Sequence, residues 1–348
     1  MRKHLLIVSA AIILTMTATA AADAQCIFTI AKKTMTLNAD CITTTSIIVQ
    51  NGFTLNGAGH TITAADPLLG HFTGGVIQNG GASADVTNVT ITTSALSDTC
   101  DIGPNRLRGI LFDGASGSIT DTRVLNINQG VGSTCDEGNA IEVRNFGASA
   151  ATSRVKIEGN MASGYQKGGI IANGNVDATI TDNVVDGLGP SPLIARNGIQ
   201  LGFGATGMIK RNEVSNNEYT GPEPFSAAGV LVVAGPWFAG PGVDSPFSVG
   251  DQIDQNTISE NDVGVWVVEL DALGRPPATM TNVKVVNNTI TKAGFTNLYQ
   301  AGVSDTGNND KVIANRISGD GYNPSFAGRF EVDADPSFTN RAKVHANK

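Results

Sequence analysis

Two kinds of residue are scarce in this sequence. Aromatics make up 5% of it and charged residues 16%, which sets it apart from the Ala/Glu/Lys/Leu-rich make-up of helical proteins. Basic residues are outnumbered 23 to 31, for a formal charge of −8. Affinity for nucleic acid rests on clustered Lys and Arg, so nucleic acid is excluded as the main partner. Only four histidines occur, and beyond His4 the three that remain, His60, His71 and His345, lack ligand spacing, which leaves zinc and copper without support. No run of 18 apolar residues exists, so no membrane span is expected. What is there, 41% hydrophobic residues at a mean hydropathy of +0.01, belongs to a chain that buries a core. The surplus lies in 41 Gly and 30 Asn, the residues of tight turns.

Arg2, Lys3 and His4 precede an apolar run over residues 5–14, and a small-residue stretch with Ala22-Asp23-Ala24 follows. This is the pattern of an export signal cleaved after residue 24. A secreted or periplasmic protein is expected, in keeping with four cysteines, all beyond that point, in an oxidising compartment.

A repeat decides the architecture. Gly or Ala followed by apolar-x-apolar recurs at Gly75, Gly109, Ala140, Gly169, Gly198, Gly229, Gly264 and Gly302, at intervals of 29 to 38 residues. A second motif runs in phase with it, as in Ile157…Asn160…Ala162, Ile180…Asn183…Val185, Ile209…Asn212…Val214 and Val285…Asn288…Ile290. Each unit holds short β-type segments and none holds the helical pattern of a βαβ crossover. If each unit is one coil, its strands pair with those of the coils before and after, about 4.8 Å away. The irregular interval favours an all-β, right-handed parallel β-helix of about ten coils. The glycines read as corners, and the recurrent Asn as corner residues or as an amide ladder along the stack.

On these repeats, and on the opening stretch 46–62, SIIVQNGFTLNGAGHTI, the chain resembles the pectin-lyase-like superfamily of right-handed β-helix proteins, which includes pectate lyases and polygalacturonases. The resemblance spans residues 46–319. It implies an N-terminal cap at 25–45 and a C-terminal cap or tail at 320–348. It implies a fold more than an activity. The Asn-Thr-Asp, Asp-Asp, Gly-His-Gly and Arg-x-Lys blocks of polygalacturonases are absent, as are the lyase Arg-x-Pro-x-x-Arg and the epimerase Asp-Pro-His-Glu.

Chemistry has to come from the outer face of the first strand of each coil. Alternation places Ile77, Leu111, Glu142, Ile171, Gln200, Leu231, Trp266 and Ser304 in one outward row, and Asn79, Asp113, Arg144 and Asn173 in the next. Half of this face is apolar, so either loops cover it or it is a binding groove. Asp113, Glu142, Arg144 and Lys167 form the candidate catalytic set, with Arg108, Gln200, Trp237 and Trp266 as candidate substrate contacts. An acidic polysaccharide along the sheet would meet these cations. A lyase would use a Lys or Arg base, and a hydrolase would use Asp113 and Glu142 as a carboxylate pair. The bland reading makes Asp113 and Arg144 a surface ion pair, and the protein a non-catalytic surface or envelope β-helix presenting a rigid binding ladder.

Two long insertions, 235–250 and 269–282, follow the same strand on consecutive coils. They are expected to bring Trp237, Phe238, Asp244, Phe247, Glu269, Asp271 and Arg275 close to Trp266. No cofactor is implied; calcium at Asp333 and Asp335 has no motif behind it. The register pairs Cys100 with Cys135 across consecutive coils, and Cys26 with Cys41 in the cap.

Overall fold

A computed structural model describes residues 25–130, 132–147 and 151–322, with the backbone of the strands Val332–Ala334 and Lys343–His345 beyond them. The leader read over residues 1–24 lies outside the described residues, and so does Asp335.

The strands stack into three long sheets of ten, twelve and ten members. One coil is Gly168–Gly174 in the first sheet, Val176–Thr181 in the second and Val184–Ser191 in the third. Each strand pairs in parallel with its equivalents in the neighbouring coils. The described residues contain no α-helix, only three single 3-10 turns. An antiparallel pair of strands, Phe28–Ala31 with Thr34–Leu37, closes the N-terminal edge of the second sheet. The stack begins earlier than residue 46, since Thr34–Leu37 and Cys41–Thr43 already pair into the second and third sheets. It also runs past residue 319, through Val332–Ala334 and Lys343–His345. These end segments are too short to display a repeat but still offer free strand edges to the ladder. Both expected disulfides are present, with Cα separations of 4.9 Å for Cys26–Cys41 and 5.1 Å for Cys100–Cys135.

The interior is filled by columns of in-register apolar side chains. Ile110, Ile141, Ile170, Ile199, Val230, Val265 and Val303 form one in the first sheet, all inaccessible to solvent. The second-motif isoleucines and valines supply matching columns in the other two sheets.

Both turn-forming residue types play different parts from a simple corner. The motif glycines are not in the left-handed region. A Cβ on Gly198 would sit 2.5 Å from the Gly229 carbonyl and 2.5 Å from Val214, and one on Gly109 would sit 2.3 Å from Val124. Where the motif has Ala140, the third sheet has Ala162 in the register of Val124 and Val185. The glycine therefore makes room for a branched side chain across the coil. Gly198→Ala is expected to cost about 1–3 kcal/mol of overpacking, and Val214→Ala in the same chain to recover part of it. A double-mutant cycle from urea titrations measures the coupling.

The motif Asn residues are buried and stack as a ladder. Asn160, Asn183, Asn212, Asn256 and Asn288 each donate Nδ2 to the Oδ1 of the next, as far as Asn315, at 2.9–3.0 Å. The left-handed corner falls one residue earlier, at Asp182, Arg211, Gln255, Asn287 and Ala314.

One register assignment differs from the expectation. Ile77 pairs with Ile110 and points inward, and Gln78 takes the outward place beside Leu111. Its amide reaches Ser46 Oγ at 2.9 Å, which fixes the strand one residue along from the motif alignment.

Candidate functional site

The outer face of the first sheet is divided into a covered half and an open half. Over the early coils, residues 97–107 fold onto it. Glu137 accepts the amides of Asp101 and Leu107 at 2.8 and 2.6 Å, His71 bonds Asp101 at 2.9 Å, and the Cys100–Cys135 disulfide joins the two turns. Beneath this cover Arg108 and Glu142 are both buried and paired, Nε to Oε2, at 2.5 Å. The Arg108 guanidinium also donates to the carbonyls of Gly103 and Arg106, and Asn139 donates to Glu142 at 2.9 Å. Leu111 and Ile171, in the same outward row, are buried as well. Glu142 therefore stands beneath the loop as the partner of Arg108, and Asp113 lies in the next outward row opposite Arg144.

Asp113 is exposed at the rim and binds Arg144 through Nε at 3.0 Å and Nη2 at 2.7 Å. Lys167 binds Asp136 at 3.1 Å and the Ala195 carbonyl at 3.2 Å. The neighbouring Arg196 donates to the carbonyls of Gly187 and Gly189, and desolvation lowers its pKa. Each cation of the candidate set is thus already matched to an oxygen of the protein. Gln200 joins Asn173 and Asn197 in a short amide chain at 3.0 and 3.2 Å.

The open half lies over the later coils, where Leu231, Trp266 and Ser304 continue the outward row and Val233 and Val268 the next. The rings of Trp266 and Tyr299 meet at 5.7 Å and an interplanar angle of 38°. They floor a pocket of about 310 Å³ lined by Pro224, Ser226, Trp266, Asn297, Leu298 and Tyr299. The two loops that wall it precede their strands. They are pinned by a polar network rooted in the buried Lys292, Glu218 and Asp262, in which Lys292 donates to Glu218 at 2.9 Å, Thr296 donates to the same carboxylate, and Asn297 donates to Asp262 and to the carbonyls of Tyr219 and Phe225. Burial pushes the Asp262 carboxyl up to about 6, against the amides of Ala227 and Tyr219 and the charge of Lys292, which favour its ionised form. Tyr299 donates its hydroxyl to Ser304 at 2.6 Å.

The expected cluster of long loops around Trp266 does not assemble. Residues 235–250 and 269–282 do lie side by side, with Trp237 packed on Gly274 and its amide bonded to the Leu270 carbonyl at 3.4 Å. They leave the far end of the strand Val263–Glu269, however, whereas Trp266 sits at its middle and takes its neighbours from the loops at the near end. Glu269 has the parity of Val265 and Val267 and is buried inside the coil. Asp271 is engaged with Arg275 at 2.9 Å. Asp244 instead lines a smaller pocket of about 220 Å³ with Phe146 and Phe203, whose rings meet edge to face at 6.0 Å.

Tyr299, Leu298 and Pro224 were not singled out from the sequence, because no motif marks them. The available signal was the density of large apolar residues, Phe295, Leu298 and Tyr299, in a loop just before a strand. Among the described residues no three His, Cys, Asp or Glu side chains are placed to hold a metal ion. No helix among them is long and apolar enough to cross a membrane.

Compared with solved structures, the chain superposes on the Dettilon tailspike protein gp208 with a TM-score of 0.52 and 14% identity, over 90% of this chain and 63% of that one. The fold is a right-handed parallel β-helix. Weaker similarities extend to a variant of the periplasmic alginate epimerase AlgG, with a TM-score of 0.39 and 14% identity over 91% of this chain and 80% of that one. The catalytic unit of a GH87 alpha-1,3-glucanase from Streptomyces thermodiastaticus gives 0.34 and 14% over 88% and 63%. This β-helix spans about two thirds or less of the tailspike and glucanase chains. No protein-family model and no curated protein matches its sequence.

Proposed function

We propose that this protein is an exported glycan-binding β-helix whose ligand lies on the open half of the first sheet, with Trp266 and Tyr299 as its stacking platform. The observation that carries this reading is that paired, partly exposed rings floor an apolar pocket on a rigid ladder. The apolar face of a sugar ring buries against such a surface, and the pocket walls fix its orientation. Two disulfides support an oxidising, extracytoplasmic setting.

The pairing of every cation in the sequence-derived set favours an uncharged glycan over a uronate polymer. It favours binding over cleavage too, since Glu142 is covered and Asp113 is held by Arg144. A panel of neutral and acidic oligosaccharides, read by thermal shift, identifies the ligand, because a molecule that binds only the native state must stabilise it. Trp266→Ala is then expected to weaken binding about tenfold or more, the equivalent of about 1.4 kcal/mol. Arg144→Ala is expected to leave affinity within about twofold. Strong loss in Arg144→Ala with none in Trp266→Ala would return the site to an acidic polysaccharide over the early coils. No stabilisation by any glycan would refute the reading.

A further inference from the structure

Inside the last coils the apolar columns are interrupted by four acids. In the second sheet, Val155, Ala178 and Gly207 are followed in register by Asp251, Val283 and Asp310, each one residue before its strand's first paired position. In the first sheet, Asp305 continues the inward column of Val232 and Val267, and Glu269 pairs with the inward Ala234. All four side chains are at or below 1% exposure. They come from three consecutive coils and meet at the corner between the first two sheets.

Among the described residues, the hydrogen-bond partners around Asp251, Glu269 and Asp310 are polar but uncharged. Asp251 accepts the Gly207 amide at 2.9 Å, and its second oxygen has no partner. Asp310 accepts Thr281 Oγ1 at 2.7 Å and the Val283 amide at 2.8 Å, and Asp305 accepts the Gly307 amide at 2.8 Å. The charge of Asp305 acts on Asp310 and disfavours its ionised form. Neither oxygen of Glu269 is in a hydrogen bond; the Ser248 amide favours its ionised form, and the charges of Asp251, Asp310 and Asp305 oppose it. Asp177 reaches Asp251 from outside. Among the described residues, the cations on the packed elements do not compensate Asp251, Glu269 and Asp310. Lys284 and Lys311 follow the inward position and point outward, Lys210 is taken by Asp254, and Arg275 by Asp271.

Four ionised carboxylates cannot share a dry interior without a counter-charge. No three acids among the described residues converge on a metal, whereas Asp251, Glu269 and Asp310, buried on neighbouring coils with carboxylate oxygens left without a hydrogen bond, are neutralised most simply by protons. We propose that the corner is a proton-held lock: protonated carboxyls close these three coils, and ionisation at alkaline pH loosens them. Burial pushes Asp251 up to about 7 and Glu269 and Asp310 up to about 9, and Asp305 upward as well.

The lock shares its strands with the Trp266 pocket. Glu269 ends the strand that carries Trp266, and Asp305 follows Ser304, the acceptor of the Tyr299 hydroxyl. Loosening these strands therefore opens the pocket, a consequence of the fold that holds whether or not the pocket binds a glycan.

The test uses Trp237→Phe protein, in which Trp266 is the only tryptophan, in buffers containing a chelator. Trp266 emission is expected to shift to the red as pH rises from about 6 to about 9.5. Amide exchange in 263–269 and 301–313, corrected for its intrinsic pH dependence, is expected to quicken about tenfold or more, while 168–191 stays protected. Glu269→Gln and Asp310→Asn, neutral at every pH, are expected to abolish the transition or move it upward. If either variant fails to fold, the exchange profile of the parent protein decides alone. The proposal is overturned by uniform protection across the pH range, by an unchanged transition in the neutral variants, or by calcium removing the transition, which would make the corner a cation site.

Discussion

Asn288→Ala is expected to lower the unfolding free energy by about 3 kcal/mol or more, while Asn287→Gly, one residue earlier, changes it by less than about 1. The two asparagines look alike in the sequence but do different work. Asn288 is buried, and its Oδ1 accepts both the backbone amide and Nδ2 of Asn256 at 2.9 Å, while its own Nδ2 donates to the Ile253 carbonyl and to Asn315. Removing the side chain strands two donors and one carbonyl that water cannot reach, each at about 1–3 kcal/mol. Asn287 is exposed and left-handed at φ 57°, with one bond to Asp254. Glycine loses that bond but adopts the same conformation freely. Against a total stability of about 5–15 kcal/mol the first change is large and the second small. Chemical denaturation of both variants measures the difference, and equal losses would show that the amide ladder is not what ties the coils together.

The thermal midpoint is expected to peak near pH 4–5 and to fall steeply toward pH 8. Asp251, Glu269, Asp305, Asp310 and Asp262 all have raised folded values, so between an ordinary carboxyl pKa near 4 and those values the folded chain holds more protons than the unfolded one. Stability therefore decreases with rising pH in this window. Their favourable contribution is complete below about 4 and is lost as each group ionises. One proton of difference corresponds to about 1.4 kcal/mol per pH unit, and the slope should be at least that. On the acid side the sign reverses. Asp66, despite its partial desolvation, is held below its ordinary value by Ser97 and Phe72, and Asp254 likewise by Lys210 and Asn287. The stability these add is present above about 4 and is lost as pH falls through their lowered values. A midpoint that stays flat from pH 5 to 8 would contradict the burial of ionisable acids in the core.

The fold was legible because each coil repeats the same physical problem. An apolar column, a glycine opposite a branched residue and an Asn beneath an Asn recur once per coil, and only a stack satisfies all three together. The site was harder to read because it is made by what differs between coils. Alternation correctly turned Glu142 and Arg144 outward, yet nothing local says that residues 97–107 fold over Glu142 and Arg108, since that depends on Glu137 and Cys135 one coil away. Trp266 was visible as an outward aromatic; its partner Tyr299 was not, because loop path rather than strand parity brings them together. Glu269 carried the opposite lesson. Its parity with Val265 and Val267 already placed it inside, and its charge disguised that.

The parallel sheets also fix how the molecule responds to force. Their hydrogen bonds run along the long axis, so tension between the two ends loads them directly and peels one coil at a time rather than shearing a whole sheet. Each coil released adds about 100–130 Å of extended chain for its 29 to 38 residues. The Cys100–Cys135 bridge joins consecutive turns 35 residues apart, so the coil between them cannot pay out until the bridge is reduced. This β-helix is in effect a spool with a locked turn between Cys100 and Cys135, extensible coil by coil in steps that follow each coil's length and arrested at the coils that lie under the loop of residues 97–107.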